Sequence, residues 1–586
     1  MRRFLAAALL LGLALPALAL DTQTRVVGPV RSWDASDLTR FDPSWLHVKF
    51  VEGADVEIDG AGFVDAQGPD LNEVNAAFRP ERGIAIRRTF SGDRATLRAR
   101  KAVGEARSRM TGPDLSLWFD VRVGGGRAAV ARLINALNAC AAVEIAHPAP
   151  IAEPAYLSSA GAIAPAHDPE RTPDFTGQQG YLYDPPAGLD APAAWATTGG
   201  RGEGLHFIDV ELAWCENHED FDFTHCFFQG GAPQDPSYED HGTAVLGEIV
   251  GQPNTFGVTG FASAVQYGVE AISISEWPNV PNRFQDAVDH LSAGDVWLIE
   301  LQMYPPGRSA TPMEWVQVNY DVIWTSVWSL GIVCMEAGAN GTQNLDDPSW
   351  GGVFDRRVRD SGAILVAAGT PYGRVAEYFT NWGSRMDAHA WGSSIVTTGF
   401  GDLYSQGTPQ TEYTASFSGT SGASPMVTGS ALCLQGIAEA NLGLRLDPIT
   451  LRALIHNTGV PHLDPNKEIG PRPDLGAAIN ALLNSAAIFE RGDLGNALRL
   501  TVDPNPTPAG AEIRFVSPND GDLRLALFDA TGRCVRLLAP RRLSTDAVGL
   551  TWDGRDSAGR PLASGVYYLR AQQGATRAAR TILLAR

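Results

Sequence analysis

The chain has 586 residues, which gives room for roughly three or four domains and at least one large core. Its 46 Lys and Arg residues stand against 66 Asp and Glu residues, a formal net charge of −20 at pH 7. This balance argues against nucleic acid or an anionic membrane surface as the main partner, because both would repel an acidic chain.

Residues 1–19 have the layout of a secretory signal peptide. Two arginines precede an apolar run over residues 4–15, and a small-x-small sequence ends at Ala19, after which we expect cleavage. A membrane anchor is the weaker interpretation, because the run is shorter than the ~20 residues of a spanning helix. No later stretch is long and apolar enough to span a membrane. We therefore expect export of the bacterial type, to the periplasm, the cell surface or the medium.

Residues 20–155 form a separate α+β unit by their pattern. The strands are predicted at residues 45–50, 115–123 and 142–146, and a helix at residues 128–137. The segment then becomes proline-rich. An Ala/Pro/Ser/Gly-rich linker, suited to cleavage, follows over residues 155–174.

Residues 156–490 alternate apolar strands with helices. We predict strands at residues 204–210, 296–301, 331–339 and 362–368, and helices at residues 284–291 and 314–330. Asp447 and Pro448 are a good N-cap and first-turn pair for a further helix ending at Gly459. The alternation predicts an α/β fold with a mostly parallel sheet, helices on both faces and functional groups at the carboxyl ends of the strands.

The sequence pattern changes at residues 496–586, where short strands of alternating polarity are separated by turn signals. The strands are predicted at residues 511–516, 522–528, 549–552, 566–571 and 580–584. This spacing predicts a β-sandwich. The motifs Asn505-Pro506, D-A-T-G-R at 529–533, W-D-G-R-D at 552–556 and S-G-V-Y at 564–567 resemble C-terminal Ig-like domains of the flagellar hook-assembly kind. Some such domains are type IX secretion sorting domains. Sorting, surface attachment and spacing remain alternative roles.

Six cysteines in an exported chain could pair in many ways. Cys215 and Cys226 flank a short polar loop and are the candidate disulfide bridge. Cys334 and Cys433 lie in apolar runs, which favours buried free thiols. The spacings do not indicate a zinc site.

The strongest chemical signal is the stretch 416–429, where G-T-S-x-A-x-P runs into a small-residue helix. It puts the Ser421 hydroxyl at a helix N-terminus, where free backbone N–H groups favour negative charge. A serine nucleophile needs this placement, because the carbonyl that it attacks becomes an oxyanion.

Three more polar residues precede this stretch. Asp209 ends the predicted strand at 204–210, His241 comes before a Gly-Thr pair and an apolar helix start, and Asn340 lies in a glycine-rich turn after a buried strand. Taken singly, such an Asp is more often a cap, and such a His a surface or core residue. Together with Ser421 they favour an enzyme.

The order Asp, His, Asn, Ser is that of the subtilisin-like serine proteases, and the chain resembles this family over about residues 175–485. The resemblance implies that Ser421 is the nucleophile and His241 its general base. Asp209 would hold the His241 tautomer and stabilise the imidazolium. Asn340 would donate to the oxyanion together with the Ser421 N–H. No cofactor is required for this chemistry.

Two segments depart from the family pattern. Gly338-Ala339-Asn340 replaces the usual Ala-Gly-Asn, and Glu300-Leu301-Gln302 replaces the frequent Ser-Leu-Gly of the substrate-binding strand. That strand should bind peptides by β-addition. Glu300 there would favour basic substrates, or it is a solvated or salt-bridged glutamate.

The resemblance also implies a propeptide and calcium. Residues 20–155 would be a propeptide that packs on the enzyme and lays its tail across the cleft; an unrelated accessory domain is the alternative. The acidic segments 216–222 and 344–347 could offer oxygen ligands to a structural calcium ion, or they are polar turns.

The resulting hypothesis is a secreted serine endopeptidase whose partners are polypeptide substrates, its own propeptide, and secretion machinery or a cell surface. The alternative is a surface-binding protein of the same fold whose site has decayed, since both departures touch the site. An esterase is disfavoured because nothing resembles the G-x-S-x-G elbow.

Overall fold

The computed structural model describes residues 25–60, 62–65, 70–155, 171–231, 234–272, 280–490, 499–503, 507–516, 521–529, 533–543, 548–573 and 576–585. The predicted signal peptide, most of the predicted linker and the Asn505-Pro506 motif lie outside these residues.

The N-terminal unit is built on an antiparallel sheet of strand order β4-β5-β1-β6. Its elements are β1 (Phe41–Phe50), β2 (Val56–Asp59), β3 (Gly62–Asp65), α1 (Asn72–Phe78), β4 (Arg82–Arg88), α2 (Arg94–Ser108), β5 (Trp118–Gly124), α3 (Arg127–Asn138), β6 (Val143–Pro150) and β7 (Glu153–Pro154). The predicted helix at 128–137 is α3. The predicted strand at 115–123 begins later, because Asp114 caps a 3₁₀ turn over Leu115–Leu117 by accepting from the Ser116 N–H at 2.9 Å.

The central unit contains the predicted parallel sheet. Its elements are α4 (Ala191–Trp195), β8 (His206–Glu211), β9 (Cys226–Gly231), α5 (Glu239–Val250), β10 (Gln266–Ala271), α6 (Val280–Asp289), β11 (Val296–Ile299), β12 (Leu301–Met303), β13 (Thr311–Pro312), α7 (Gln317–Trp324), β14 (Val333–Ala337), β15 (Ile364–Gly369), β16 (Ala388–Trp391), β17 (Ile395–Thr398), β18 (Tyr413–Phe417), α8 (Thr420–Leu442), α9 (Pro448–Thr458) and α10 (Leu475–Glu490). The strand order is β16-β15-β14-β11-β8-β10-β9, and every pairing in it is parallel. The α/β prediction with a mostly parallel sheet is confirmed.

Two helices of this unit illustrate how local sequence sets the ends. The Asp447 carboxylate accepts from the Thr450 N–H at 3.0 Å, so α9 begins after Asp447 and ends before Gly459 as predicted. The predicted helix at 314–330 is instead divided into a 3₁₀ turn, α7 and a π-helical stretch over Thr325–Leu330. Gly331 ends the π-helical stretch in the left-handed region, with φ of 73°.

The C-terminal unit consists of antiparallel strands. They are β19 (Arg499–Asp503), β20 (Ala511–Val516), β21 (Gly521–Phe528), β22 (Cys534–Leu543), β23 (Val548–Trp552), β24 (Gly565–Gln573) and β25 (Thr576–Leu584). They form two sheets, β19-β20-β23 and β22-β21-β24-β25, around a core that includes Trp552, Leu527 and Leu569. The likeness to Ig-like domains stays a prediction.

The apolar core of the N-terminal unit continues into the central unit. One cluster of buried side chains joins Leu117 and Val121 of the first to Trp297, Met313 and Val318 of the second. Among the described helices, none combines the length and the apolar character needed to cross a membrane.

Candidate active site

Ser421 lies in the first turn of α8 and is fully buried. The preceding Gly419 has φ of 117°, a backbone conformation that side-chain-bearing residues rarely adopt, so the sharp turn into the helix depends on this glycine. Ser421 therefore lies at the N-terminus of α8, the placement that the sequence predicted.

The carbonyl oxygen of Ala155 lies at this helix N-terminus. Asn340 donates to it from its side-chain Nδ2 at 2.6 Å, and Ser421 donates from its backbone N–H at 3.2 Å. The Asn340 amide is oriented in turn by Thr420, whose N–H donates to Asn340 Oδ1 at 3.0 Å. Two donors thus converge on one carbonyl oxygen, the arrangement that would stabilise an oxyanion there.

The loop before Asn340 shows the effect of the reversed Gly338-Ala339 order. Ala339 has φ of 66°, in the left-handed region where glycine is favoured. The Asn340 N–H donates to Gln302 Oε1 at 3.0 Å, which ties this loop to the neighbouring strand. The loop keeps its donor in place despite the departure from the family pattern.

The segment before Ala155 lies against the predicted substrate-binding strand. β7 pairs antiparallel with β12, with Pro154 opposite Leu301 and Glu153 opposite Gln302. The Ala155 N–H donates to the Glu300 carbonyl at 3.1 Å. The tail of the N-terminal unit is therefore bound as an added strand, in the way that we predicted for a peptide substrate.

His241 lies in the first turn of α5 and is buried. Its ring packs edge-on against Phe417 with 5.6 Å between the ring centroids. Burial lowers the pKa of the imidazole to about 3, which favours the neutral ring that a general base needs. Its Nδ1 contacts Oε1 of Glu211, the last residue of β8.

Glu211 therefore contacts His241, and the expected role of Asp209 beside His241 stays a prediction. Asp209 is two residues earlier on β8, so both side chains point to the same side of the sheet. The Asp209 Oδ2 atom accepts instead from the Trp214 indole N–H at 2.8 Å. Glu211 has a longer side chain than Asp209, and the sequence analysis did not single it out. The D-x-E spacing on β8 was the signal that could have identified it.

Residues 309–480 match the model of the Subtilase family. The thermophilic serine proteinase of Bacillus sp. (strain AK1) is 27% identical over 323 residues, 54% of this chain and 69% of that protein. Subtilisin Savinase of Lederbergia lenta is 29% identical over 250 residues, 42% of this chain and 80% of that protein. The chain is a subtilisin-like serine-type endopeptidase. A solved structure, fervidolysin from Fervidobacterium pennivorans, described as a keratinolytic enzyme related to subtilisin, is 13% identical with a TM-score of 0.47, over 96% of this chain and 90% of that chain.

The protein has a third buried carboxyl group beside the candidate site. Glu300 follows β11 and is fully buried, and its Oε1 accepts from the Ser424 hydroxyl at 2.6 Å. Burial raises the pKa of Glu300 well above its usual range, and the nearby Glu211 raises it further. The Glu300 carboxyl group is buried rather than solvated, and the Glu300 backbone carbonyl meets the bound tail; a preference for basic substrates stays a prediction.

The acidic segments proposed for calcium use oxygens as hydrogen-bond acceptors within the protein. Asp222 accepts from the Thr224 N–H at 2.9 Å, and Asp346 accepts from the Ser384 N–H at 2.9 Å. Glu216 accepts from the side-chain amides of Gln229 and Gln234. Within the described part of the chain, no group of three or more His, Cys, Asp or Glu side chains is arranged to hold a metal ion. Structural calcium stays an expectation.

All six cysteines of the chain are free thiols, so the predicted Cys215–Cys226 bridge is wrong. The two sulfur atoms are directed to different acceptors, Cys215 Sγ to Asn217 Oδ1 at 3.5 Å and Cys226 Sγ to the Phe228 carbonyl at 3.7 Å. Cys334 and Cys433 are buried and free, as predicted.

Proposed function

We propose that the chain is the precursor of a secreted serine endopeptidase that first cuts itself between Ala155 and Tyr156. The proposal depends on one observation: the Ala155 carbonyl oxygen accepts hydrogen bonds from Asn340 Nδ2 at 2.6 Å and from the Ser421 N–H at 3.2 Å. A carbonyl held in this way is polarised toward attack by the serine that contributes the second donor.

The reaction is an acyl transfer. Ser421 Oγ attacks the Ala155 carbonyl carbon while His241 takes the hydroxyl proton, and the negative charge that develops on the oxygen is met by the two donors. Collapse of this intermediate breaks the bond to the Tyr156 nitrogen, which receives the proton from His241. Water then hydrolyses the Ala155 ester on Ser421 by the same steps. Every acid, base and donor comes from the chain, so no cofactor is needed.

The same pairing supports a role for residues 25–155 as a propeptide and inhibitor. After the bond breaks, Ala155 remains paired with the Glu300 carbonyl, and β7 remains paired with β12. A product held by these bonds occupies the strand that other polypeptide substrates need. Cleaved propeptide must therefore leave, or be cut again, before the enzyme reaches foreign substrates.

Export is part of the proposal. It is supported by the signal-like residues 1–19. A zymogen would also keep synthesis inside the cell separate from activity outside it. The C-terminal strands would then serve sorting, attachment or spacing at the surface.

The test is expression of the full chain and of the Ser421→Ala variant. We expect wild-type protein to convert to a species whose N-terminal sequence begins at Tyr156, and the variant to stay uncut. Ser430→Ala is the matched control, because this serine lies in α8 and its hydroxyl donates only within the helix, to the Met426 carbonyl at 2.8 Å. It should process normally.

Two results would contradict the proposal. Conversion of the Ser421→Ala chain at the wild-type rate would rule out self-cleavage by this serine. An uncut wild-type chain that also fails to react with a fluorophosphonate probe after its N-terminal unit is removed by another protease would favour the alternative, a binding protein with a decayed site.

A further inference from the structure

Three buried hydroxyl groups of α8 form the same kind of hydrogen bond. Each lies 2.6 to 2.8 Å from the carbonyl oxygen four residues earlier in the helix: Ser424 from Thr420, Thr428 from Ser424, and Ser430 from Met426. Donation to the carbonyl four residues back is a common use of a serine or threonine hydroxyl inside a helix. A hydroxyl group carries one proton, so each of these protons is used within α8.

Ser424 differs from the other two because a second oxygen atom lies equally close to it. Its Oγ is 2.6 Å from the Thr420 carbonyl oxygen and 2.6 Å from Oε1 of Glu300. Two oxygen atoms at this distance need a proton between them, and Ser424 has only one proton for two contacts. If Ser424 donates to Thr420, as its place in the helix indicates, the proton in the other contact belongs to the Glu300 carboxyl group.

The surroundings of Glu300 favour the same protonated form. Burial raises the pKa of this fully buried carboxyl group well above its usual range, and the acidic Glu211 and Asp209 of β8 raise it further. Two neighbouring hydroxyl groups oppose this rise only in part. His241 of α5 adds no positive charge at neutral pH, because burial lowers the pKa of its imidazole to about 3. A neutral Glu300 therefore agrees with both the hydrogen bonds and the charges around it.

A chain of hydrogen bonds joins this carboxyl group to the donors that meet the Ala155 carbonyl oxygen. Thr420, whose carbonyl accepts from Ser424, donates from its N–H to Asn340 Oδ1 at 3.0 Å. Asn340 in turn donates from Nδ2 to the Ala155 oxygen at 2.6 Å. The Glu300 backbone carbonyl accepts from the Ala155 N–H at 3.1 Å. Glu300 thus holds Ala155 directly through its backbone and indirectly through its side chain.

We propose that Glu300 is a positioning residue that acts as a neutral carboxylic acid and donates its proton to Ser424 Oγ. This bond fixes the first turn of α8 and, through Thr420, the oxyanion donor Asn340. Ionisation of Glu300 would remove the proton and put a negative charge into the buried site where negative charge develops during acyl transfer. The inference rests on the proposed function for its kinetic consequence, whereas the protonation state of Glu300 can be measured in a chain that never cuts itself.

The kinetic test is the pH profile of processing at Ala155–Tyr156. The wild-type rate should fall by about 10–10²-fold as the pH rises through the raised pKa of Glu300, because an oxyanion donor is then weakened rather than removed. Glu300→Gln keeps a neutral donor in the same place and should lose this alkaline fall. Glu300→Ala has no donor and should be at least about tenfold slower than Glu300→Gln at neutral pH. An alkaline fall that persists in Glu300→Gln, or equal rates of the two variants, would overturn the proposal.

Glu270→Gln is the matched control, which separates positioning from a general loss of stability in alkali. Glu270 is another buried acid with a raised pKa, but it lies on β10, and its charged neighbours are Asp286 and Arg283 of α6. This variant should keep the alkaline fall in processing rate, because the Glu300 carboxyl group is intact. Loss of the fall in Glu270→Gln would assign it to unfolding and contradict the proposal.

Infrared spectroscopy tests the protonation state without any activity. At pH 7, the difference spectrum between the Ser421→Ala precursor and Ser421→Ala/Glu300→Gln should contain the C=O stretching band of a carboxylic acid and no carboxylate band. The acid band would support the inference even if the wild-type chain proved inactive, and a carboxylate band would overturn it even if self-cleavage were confirmed.

A second variant keeps the infrared test available if Glu300→Gln does not fold. Ser424→Ala, in the same Ser421→Ala background, removes the oxygen that accepts the Glu300 proton, so it should shift the acid band. A band at the same frequency in both chains would show that Glu300 does not donate to Ser424, and it would overturn the proposal.

Discussion

The N-terminal and C-terminal units are attached to the catalytic unit in different ways. The N-terminal unit shares a continuous apolar core with it and reaches the active site through Ala155. The C-terminal unit has a core of its own, centred on Trp552, and lies against the outer helices, β24 against α9 and β25 against α10. One unit completes the enzyme's interior, and the other is added to its surface.

A buried ion pair joins the N-terminal unit to the catalytic unit. The Asp321 carboxylate in α7 accepts from both Arg25, at 2.7 Å, and the Trp118 indole N–H, at 2.9 Å. Burial by itself lowers the pKa of Arg25, but Asp321 and Glu144 outweigh it and raise the pKa above its usual value. Two residues of the N-terminal unit thus satisfy a charge inside the catalytic unit. The ion pairs of the C-terminal unit stay inside that unit: Arg560–Asp556 lies within one turn, and Arg536–Asp553 joins β22 to the turn after β23.

The largest expected effect comes from paired truncations. A chain that lacks residues 25–155 should not reach an active fold, because the buried apolar cluster that the two units share would lose the members that the N-terminal unit contributes. A chain that ends after residue 490 should fold and cut at Ala155–Tyr156 within about twofold of the full chain, because the C-terminal core is self-contained.

The measurement is the yield of processed enzyme after refolding, with residues 25–155 added in trans as the control for the first truncation. Recovery of activity on that addition would support a folding role for the unit. The proposed difference between the two units would be contradicted if the chain without residues 25–155 folded unaided, or if loss of the C-terminal strands alone abolished processing.

The sequence predicted the parts of this arrangement that depend on short motifs. G-T-S-x-A-x-P placed Ser421 at a helix start, and the turn after a buried strand placed Asn340 near it, because backbone turns and helix ends are set locally. The parallel sheet followed from apolar runs alternating with helices.

Other features depend on side chains from distant segments and could not be predicted in this way. Period-two spacing puts Asp209 and Glu211 on one side of β8, but it does not predict which carboxyl group accepts the hydrogen bond from the Trp214 indole. Likewise, Cys215 and Cys226 are close in sequence, yet their sulfur atoms are directed to different acceptors. Helix α2 was missed because it buries only Leu97 and Gly104, which leaves almost no apolar period.

A smaller effect should come from Asp321→Asn. The substitution keeps the shape but removes the charge, so buried Arg25 loses its two-oxygen partner, and we expect the free energy of unfolding to fall by about 3 to 5 kcal/mol. Urea denaturation of the uncut Ser421→Ala precursor measures it. Asp556→Asn is the matched control in the C-terminal unit, where the Arg560 partner is largely exposed, so the loss there should stay below about 1 kcal/mol. Equal effects of the two substitutions would remove the distinction between the units.

The smallest predicted effect is a difference in pH dependence between the two regions. Burial raises the pKa of Glu270 to about 8 and that of Asp220 to about 7, so the folded catalytic unit holds protons that the unfolded chain has released. Stability from these groups is complete below an unfolded pKa near 4 and is lost as the pH rises through 7 and 8. Between pH 7 and 9 the free energy of unfolding should therefore fall by about 1–2 kcal/mol.

In the C-terminal unit the sign is opposite. The Arg560 backbone N–H and side chain bind Asp556 and lower its pKa, so its contribution is intact above pH 4 and is lost only in acid. Urea unfolding of the Ser421→Ala precursor at pH 7, 8 and 9 should show a falling midpoint for the catalytic unit and a constant one for the C-terminal unit. Glu270→Gln should reduce that fall by the share that Glu270 carries, because the amide is neutral at every pH; an unchanged slope in this variant would mean that other buried groups carry the alkaline instability.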